Sequence, residues 1–323
     1  MDKRPAFSDL DLSRWKEYDD VLTGSLWLLG ARDKTGPHVG DYWGNFVPQI
    51  PHQILTRFTR QGETVVDFFS GMGTTLIECR HLGRNGIGVE LVADVASRSR
   101  ERVDQAANES GITTEVLVGD SAESATLDAV RNALQRLGTA WADCVFLHPP
   151  YFKIIRFSDQ PNDLSNAADL PTFLDRFRLV VANAVAILRP GRFLTLVIGD
   201  YFSGGEWIPL GFECMQICRD AGLRLKAINV KDIQGNEKAK GKNENLWRYR
   251  ALRQGFYIFK HEYVIVFQKP GKPGATMKTP DRRAALPAER RPRHPKISRP
   301  QSAEERDRQE ADAGGEGHER VGS

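Results

Sequence analysis

The chain has 323 residues, of which 45 are Lys or Arg and 42 are Asp or Glu, and a net charge of +3 is too small to mark the whole chain as a polyanion binder. That excess lies in residues 270–323, which hold 12 basic and 9 acidic residues, 7 of the 17 prolines and no Phe, Tyr or Trp. Such a segment cannot bury enough apolar surface to offset the entropy of ordering, so we predict a disordered charged tail. Residues 1–269 are formally neutral and fit one large α/β domain.

Several classes of protein are disfavoured by composition. No apolar run approaches the ~18–20 residues of a transmembrane helix, and the N-terminus lacks the apolar core of a secretory signal. Cys214 and Cys218 lie four apart on one predicted helix face, where they could bind a metal, but no His, Asp or Glu set is spaced to complete that site. We therefore expect buried free thiols, no metal, no membrane partner and a reduced, cytoplasmic protein.

From Thr64 onward, short apolar runs alternate with helical stretches. In chain order the pattern predicts strand 64–68, helix 75–82 with Gly83 as its C-cap, strand 87–90, helix 93–107, strand 115–118, helix 125–137, strand 144–147, helix 170–188, strand 193–198, helix 210–221, strand 223–230 and strand 263–267. Such alternation is typical of a mostly parallel, doubly wound sheet.

Three acids and a histidine stand at the ends of predicted strands. Asp67, Glu90 and Asp120 end or follow the first three strands, and His148 follows the fourth. In doubly wound sheets, ligands bind beyond the carboxyl ends of the strands, near the switch in strand order. Each acid alone could be a helix cap or a solvent-facing turn residue, whereas the set together indicates a ligand site.

The loop after the first strand reads DFFSGMGTT over residues 67–75, and its two glycines let the backbone turn tightly and approach a ligand. A dinucleotide loop needs a third glycine where this chain has Leu76, and no segment has the spacing of a phosphate-binding P-loop. A carboxylate ahead of the glycines repels a pyrophosphate but suits a cationic cofactor. S-adenosylmethionine fits this requirement, because it carries an ammonium, a sulfonium and no phosphate.

Two further acids suit the rest of that cofactor. Glu90 lies 23 residues after Asp67, near the roughly 20-residue spacing at which an acid accepts from ribose hydroxyls. Asp120 could accept a hydrogen bond from the adenine amino group.

The segments DFFSGMGTT (67–75) and HPPY (148–151) resemble, in this order, two motifs of the DNA amino-methyltransferases, the N4-cytosine and N6-adenine enzymes. The first motif of that family reads D-P-F-x-G-x-G-T-T and the fourth reads D/N/S-P-P-Y/F/W. The resemblance spans roughly residues 45–268. It implies a Rossmann-like, seven-stranded methyltransferase sheet whose last strand is inserted antiparallel, and a catalytic domain at 45–269 after an N-terminal extension at 1–44.

The resemblance also implies which residues contact the cofactor. Glu90 falls at the ribose position and Asp120 at the adenine position. The stretch NFVPQ (45–49) is similar to the family's tenth motif, which closes over the cofactor, and this adds Phe46. Matching the first motif places contacts with the methionine moiety at Asp67, Phe68, Ser70, Gly71, Gly73, Thr74 and Thr75.

HPPY suits methyl transfer to an aromatic amino group, whose lone pair is delocalised into the ring. Acceptors around the nitrogen favour a pyramidal geometry, so catalysis is largely orientation and electrostatics. Pro149 supplies a carbonyl for one amino hydrogen and Pro150 holds it rigid. His148 stands where the family has Asp, Asn or Ser; a neutral imidazole can accept the second hydrogen and could collect the released proton. Tyr151 can stack on a base that has left the DNA helix. The alternative interpretation of the whole HPPY segment is a structural turn.

Target recognition has little room in this sequence. Only 72 residues separate Thr75 from His148, so no recognition domain fits there, and the remaining space is 151–170 and 231–260. The second stretch interleaves basic and aromatic residues, which suits phosphate contact plus base stacking, although a solvated loop is equally consistent. We therefore predict nucleic-acid contacts at Lys153, Arg156, Lys238, Lys240, Lys242, Trp247, Arg248 and Arg250.

The sequence thus predicts an enzyme that methylates an exocyclic amino group of a DNA base with S-adenosylmethionine. Cytosine and adenine stay open as targets, because His148 departs from the family pattern. An RNA methyltransferase, for instance at guanine N2, is one alternative, and a catalytically silent fold that binds nucleic acid is another. The recognition sequence, the oligomeric state and any restriction partner do not follow from the sequence.

Overall fold

A computed structural model describes residues 5, 7–233 and 244–271. Most of the predicted tail, 270–323, therefore lies outside the described residues, as do Lys238, Lys240 and Lys242. Among the described residues, no helix combines the length and apolarity needed to cross a membrane.

The main element is an eight-stranded sheet with the order β1-β9-β10-β6-β5-β2-β3-β4. Every strand in it is parallel to its neighbours except β10, which is antiparallel to both β6 and β9. The predicted fold class, with its inserted antiparallel last strand, is confirmed. The strands are β1 (Leu26–Trp27), β2 (Thr64–Asp67), β3 (Asn85–Glu90), β4 (Thr114–Val118), β5 (Ala142–Leu147), β6 (Leu188–Ile198), β7 (Tyr201–Ser203), β8 (Glu206–Ile208), β9 (Arg224–Asp232) and β10 (His261–Gln268), of which β7 and β8 form a separate hairpin.

The sheet has one strand more than the seven predicted. The additional strand, β1, comes from residues 1–44 and pairs in parallel with the edge strand β9, Leu26 with Val230 and Trp27 with Lys231. Trp27 is 1% exposed and packs in the core, so part of the predicted extension contributes to the sheet. Two residues are too few for any periodicity, which is why β1 could not be recognised in the sequence.

Helices cover both faces of the sheet. Helices α1, α2 and α3 pack on one face, and α4, α5 and α6 pack on the other. Two of the helices, α1 and α7, were absent from the sequence-based prediction. The helices are α1 (Gln49–Phe58), α2 (Thr74–Leu82), α3 (Ala93–Asp104), α4 (Ser124–Arg136), α5 (Leu170–Ile187), α6 (Leu210–Asp220) and α7 (Glu244–Gln254).

The strand β5 shows why the middle of the sheet could be predicted. All six of its residues are buried, as expected of a parallel strand covered on both faces. Val145 and Leu147 point to the α4–α6 side, whereas Cys144 and Phe146 point to the other side. Each fully buried side chain of this size contributes roughly 1.5–3 kcal/mol, so this short strand is a large share of the core.

The prediction at 188–193 was wrong in detail. Strand β6 begins at Leu188, directly after α5, instead of at Phe193. The end of β10 explains the difference, because the N–H of Gly191 donates to the carbonyl of Lys269 at 2.8 Å and the N–H of Lys269 donates to the carbonyl of Arg192 at 2.9 Å. These hydrogen bonds hold the Pro-Gly segment in strand β6, although its sequence predicts only the end of the preceding helix.

Candidate active site

The turn between β2 and α2 depends on two glycines. Gly71 and Gly73 have φ of +50° and +81°, a region that favours glycine. A Cβ at position 73 would lie 2.6 Å from Cγ2 of Val103 and 2.7 Å from Oγ of Ser99, both on α3. The turn therefore needs glycine for its backbone angle and for the close approach of α3.

We expect Gly73→Ala to destabilise the fold by more than Gly62→Ala. Gly62 has a similar φ of +77°, but a Cβ added there would meet nothing within 4 Å, so it reports the backbone strain alone, about 1–2 kcal/mol. At position 73, overpacking adds about 1–3 kcal/mol. Urea denaturation of both variants measures the difference, and equal losses would show that α3 does not constrain the turn.

Asp67 lies at the end of β2 and is 1% exposed. Its carboxylate accepts from the N–H of Phe69 at 2.9 Å through Oδ1 and from the hydroxyl of Thr75 at 2.6 Å through Oδ2. Burial raises the pKa of Asp67 to about 6, although both hydrogen bonds oppose that rise. The carboxylate therefore shapes the turn and is still largely ionised at neutral pH.

Glu90 ends β3, the strand beside β2. Its carboxylate accepts from the N–H of Gly71 at 3.0 Å and from the N–H of Val92 at 2.9 Å, so it ties the glycine turn to the next strand end. Burial raises the pKa of this carboxyl as well. Among the described residues, no Lys or Arg forms an ion pair with Asp67 or Glu90.

That donor set fits the predicted cofactor. Two adjacent carboxylates, neither paired with a cation in the described part of the chain, make this strand edge favourable for a positive group, such as the ammonium or sulfonium of S-adenosylmethionine, and unfavourable for a phosphate. A Cβ at position 71 would lie at ordinary van der Waals distance, 3.7 Å, from Cε1 of Tyr42, so the positive φ is what favours glycine there.

Other predicted cofactor residues lie in the same turn with different partners. The hydroxyl of Thr74 donates to Oδ1 of Asn45 at 2.7 Å, and the carbonyl of Phe68 accepts from the hydroxyl of Ser121. The hydroxyl of Ser70 is buried and has no hydrogen-bond partner among the described residues. It lies against Gly88, where a Cβ would be 2.4 Å away.

Asp120 follows β4 and already has strong partners. Its Oδ2 accepts from Asn162 at 3.0 Å and forms an ion pair with Arg176, and its Oδ1 accepts from the N–H of Ala122 at 2.9 Å. An adenine amino group would have to share this carboxylate with Arg176. That pair could not be predicted from the sequence, because Arg176 is 56 residues further on, in α5.

Residues 45–49, which are similar to the tenth motif, lie in space between the glycine turn and the HPPY segment. Asn45 bonds to Thr74 in the glycine turn, and the ring of Phe46 lies 4.8 Å from the ring of His148. Phe46 is 7% exposed. Residues 45–46 therefore contact both segments of the candidate site.

His148 and Tyr151 are half-buried members of a polar network whose other members, Glu262 and Lys231, are buried. Nε2 of His148 lies 3.2 Å from the hydroxyl of Tyr151, which donates to Oε2 of Glu262 at 2.8 Å. Lys231 pairs with the other oxygen of Glu262 at 3.1 Å. Burial lowers the pKa of His148 to about 4, so its imidazole is neutral at physiological pH.

The network determines the tautomer of His148. The single proton of the Tyr151 hydroxyl is donated to Glu262, so this oxygen accepts from Nε2–H of the imidazole. Nδ1 is then the unprotonated nitrogen, and His148 can accept one hydrogen bond there. The partner Glu262 therefore sets which atom of His148 is the acceptor.

Sequence reasoning missed Glu262 and Lys231. Both are buried, on the neighbouring strands β10 and β9. Both residues lie just outside the strands predicted at 223–230 and 263–267, so the sequence carried no signal for their burial or their pairing.

Phe152, directly after HPPY, has an unusual backbone conformation: among the described residues it is the one non-glycine with positive φ, at +52°. Its ring is buried against Phe173 and Tyr201, which holds the strained backbone in place.

The predicted nucleic-acid contacts fall in two separate segments. Lys153 is exposed and donates to the carbonyl of Ala168 at 2.6 Å, and Arg156 pairs with Asp159 at 2.9 Å. The others that the structure describes lie on α7, a helix instead of the loop considered from the sequence. There the guanidinium of Arg250 lies 5.3 Å from the ring centre of Trp247, and Arg248 is exposed.

The fold and the site together define the class of Rossmann-like methyltransferases: a glycine turn after the first central strand, acids at successive strand ends and an inserted antiparallel last strand. Comparison with known proteins gives a match to one family over part of the chain. Residues 8–99 match the family described as DNA methylase. The chain is therefore related to the DNA amino-methyltransferases, as the resemblance predicted, through a match that ends before the HPPY segment.

Individual relatives agree with that match. The chain is 33% identical over 94 residues to the type II methyltransferase M.MjaII of Methanocaldococcus jannaschii, a stretch that covers 26% of this chain and 18% of M.MjaII. It is also 33% identical over 76 residues to M.MjaI of the same organism, covering 24% and 25% of the two chains. The chain thus matches about a fifth to a quarter of the length of these relatives.

Solved structures are more distant in sequence. TrmN from Thermus thermophilus is 16% identical, with a TM-score of 0.42, over 69% of this chain and 49% of TrmN.

Proposed function

We propose that this protein transfers a methyl group from S-adenosylmethionine to an exocyclic amino nitrogen of a DNA base, N4 of cytosine or N6 of adenine. The observation that carries the proposal is the adjacency of the two motifs. Strands β2 and β5 are parallel neighbours with Asp67 opposite Phe146, so the glycine turn and His148 leave the same edge of the sheet side by side. The match to the DNA methylase family supports DNA as the substrate.

In this proposal the glycine turn binds the cofactor, which supplies an electrophilic methyl group on a sulfonium. The carboxylate of Asp67 attracts the positively charged methionine moiety, and Glu90 accepts from the ribose hydroxyls while it anchors Gly71. The backbone of Phe68, Ser70 and Gly73 lines the turn, with Thr74 and Thr75 at the start of α2. Asp120, shared with Arg176, lies at the adenine position.

The acceptors for the amino group are Nδ1 of His148 and the carbonyl of Pro149. Each accepts a hydrogen bond from one amino hydrogen, which turns the nitrogen lone pair away from the base ring and towards the methyl group. Once the nitrogen is methylated, one of its two hydrogens leaves as a proton to Nδ1 of His148. His148 can act this way because it is neutral and its other nitrogen is used by Tyr151. Pro150 keeps the carbonyl of Pro149 in position.

Tyr151 is proposed to stack on the target base. Its hydroxyl is fixed by Glu262, and its ring packs beside Gly199, where a Cβ would lie 2.8 Å from Cε2. A ring held in this way loses little conformational entropy when the base arrives. Glu262 and Lys231 are positioning residues, since they act through Tyr151 and His148.

The deciding experiment uses tritiated S-adenosylmethionine with separate DNA and RNA pools, followed by chromatography of the nucleosides. We expect label in N4-methylcytosine or N6-methyladenine from DNA. Label confined to RNA would overturn the substrate, and intact cofactor binding without any label would overturn the enzyme. A His148→Ala sample processed in parallel controls for a contaminating methyltransferase.

DNA contact through α7 predicts a salt-dependent effect. Arg248→Gln should weaken DNA binding and reduce the magnitude of the slope of log K against log salt by about 0.9, the value for one lost phosphate contact. Arg131→Gln on α4, also an exposed arginine, is the matched control and should leave the slope unchanged. Fluorescence anisotropy with a labelled duplex measures both, and an unchanged slope for Arg248→Gln would remove it from the interface.

A further inference from the structure

Three histidines converge on one buried carboxylate outside the candidate active site. Oε1 of Glu78 lies 2.7 Å from Nε2 of His38 and 3.1 Å from Nδ1 of His81, and Oε2 lies 2.8 Å from Nδ1 of His52. Glu78 is 3% exposed and His38 is 4% exposed. Three of the seven histidines of the chain therefore surround a single side chain.

Three separate segments bring these residues together. Glu78 and His81 lie three residues apart on α2, and this spacing puts both side chains on one face of the helix. His52 comes from the neighbouring helix α1, and His38 comes from the segment that precedes it. None of the four residues takes part in the proposed methyl transfer.

The arrangement has the chemistry and the dimensions of a transition-metal site. His38, Glu78 and His81 each offer a donor atom, and these atoms all lie within 4.8 Å of one another. A tetrahedral zinc ion with bonds of about 2.0–2.1 Å holds its ligand atoms roughly 3.4 Å apart, a spacing between the 2.7 Å of the shortest contact in this group and its 4.8 Å limit. The rings of His38 and His81 are nearly perpendicular, at 85°, so their nitrogens approach the carboxylate from different directions.

Access and charge also suit a divalent ion. The side chains of His52 and His81 are 40% and 26% exposed, which leaves a path from solvent to the buried Glu78. A neutral imidazole presents its lone pair once its N–H has moved to the other ring nitrogen. Asp33 lies close enough to influence His52 and His81 electrostatically, and it adds negative charge beside the cluster.

We propose that His38, Glu78 and His81 bind one divalent transition-metal ion, with zinc as the best fit to imidazole and carboxylate ligands, while His52 holds the other oxygen of Glu78. This departs from the sequence-based expectation of no metal. The ion would join the segment before α1 to α2, the helix that begins at the glycine turn, and His52 would link the ligand Glu78 to α1. Its role is structural, because metal binding that requires the folded arrangement of three segments stabilises that arrangement.

The test starts with full-length, tag-free protein stripped by a chelator and titrated with Zn²⁺ against a chromophoric chelator. We expect one equivalent to bind and the thermal midpoint to rise on loading. His81→Ala removes a ligand and His52→Ala removes a partner of the ligand Glu78, so each should weaken zinc binding at least about tenfold, the lower end of the cost of losing a ligand's partner. His261→Ala, whose ring nitrogen instead faces the hydroxyl of Tyr263, is the matched control and should bind zinc as the wild type does.

Co²⁺ added to the stripped wild-type protein gives a second readout that does not depend on folding of the variants. We expect the intense visible absorption of a four- or five-coordinate ion with nitrogen and oxygen ligands, abolished by an equivalent of Zn²⁺. Absence of stoichiometric binding by the wild type would overturn the proposal. Zinc affinity unchanged in both folded variants, or a Co²⁺ spectrum of the hexaaqua ion, would do the same.

Discussion

His148→Ala should lower kcat for methyl transfer by about 10²–10³-fold, the usual cost of removing one well-placed hydrogen-bonding group at the reacting centre. The affinity for S-adenosylmethionine should stay nearly constant, because the glycine turn is unchanged. His148→Asn should restore much of the rate, since an amide oxygen can accept the amino hydrogen in place of Nδ1. Single-turnover assays at saturating cofactor, together with calorimetric cofactor binding, separate the two quantities.

Two results would contradict this role. Wild-type turnover in His148→Ala would remove the imidazole from the reaction, and equal loss in the Ala and Asn variants would indicate a packing role beside Phe46. Glu262→Gln provides a related test, because it leaves the shape of the network and removes its charge. We expect a smaller loss of kcat than in His148→Ala, with cofactor affinity kept.

The pH profile of kcat follows from the state of His148. Burial lowers its pKa to about 4, so the neutral acceptor persists at every pH well above that value and is lost only as the pH falls through about 4. At saturating cofactor, kcat should therefore stay level down to about pH 5. A kcat that already falls near pH 6.5, the ordinary histidine value, would show that the imidazole is exposed during turnover.

Asp67→Asn should weaken S-adenosylmethionine binding by about ten- to a hundredfold, which corresponds to the roughly 1.5–3 kcal/mol of a charge-assisted hydrogen bond. Asparagine has nearly the same shape: its Oδ1 can still accept from the N–H of Phe69, and its NH2 can donate to the hydroxyl of Thr75, which can rotate to accept. The loss would thus report the negative charge and not the form of the turn. Isothermal titration calorimetry measures it directly.

Thr75→Val is the matched control for that variant. It removes the hydroxyl that donates to Asp67 and leaves the carboxylate charge, so it should cost much less cofactor affinity. Equal losses in Asp67→Asn and Thr75→Val would reduce Asp67 to a residue that shapes the turn.

Cofactor affinity should also depend on pH through Asp67. Its pKa is raised to about 6, and the cationic cofactor favours the ionised form. Affinity should therefore be full above about pH 7 and decline as the pH falls through 6, by up to tenfold per pH unit. This decline should be absent from Asp67→Asn, whereas a decline of the same size in that variant would assign it to another group.

The sequence predicted the regular part of the sheet because those strands are long enough to carry a pattern. In strand β5 the buried apolar run 144–147 lies between Asp143 and His148, so it was recognisable. Strands β2, β3 and β10 also have buried central residues. The charged residues at the strand ends and the glycines after β2 also predicted the site. They are close together in the chain, and a parallel strand places both at the carboxyl edge of the sheet.

Elements with little local pattern were not predictable. The two residues of β1 form a strand only because the edge of β9 offers hydrogen bonds, and β6 extends back to Leu188 because β5 and the end of β10 lie beside it. Helix α7 has a weakly amphipathic, highly charged sequence, which favoured the interpretation as a loop.

The sequence by itself determined the class of fold, the glycine turn and the pairing of its two motifs, because each depends on residues close together in the chain. Only the tertiary structure decided the protonation and partners of those residues. His148 is neutral because burial lowers its pKa, and it accepts at Nδ1 because Glu262, 114 residues away, orders the Tyr151 hydroxyl. Asp120 is paired because α5 carries Arg176. Glu78 likewise meets His38 across 40 residues. Long-range contacts of this kind leave no periodicity in the sequence, since they form only when separate elements pack against the same sheet.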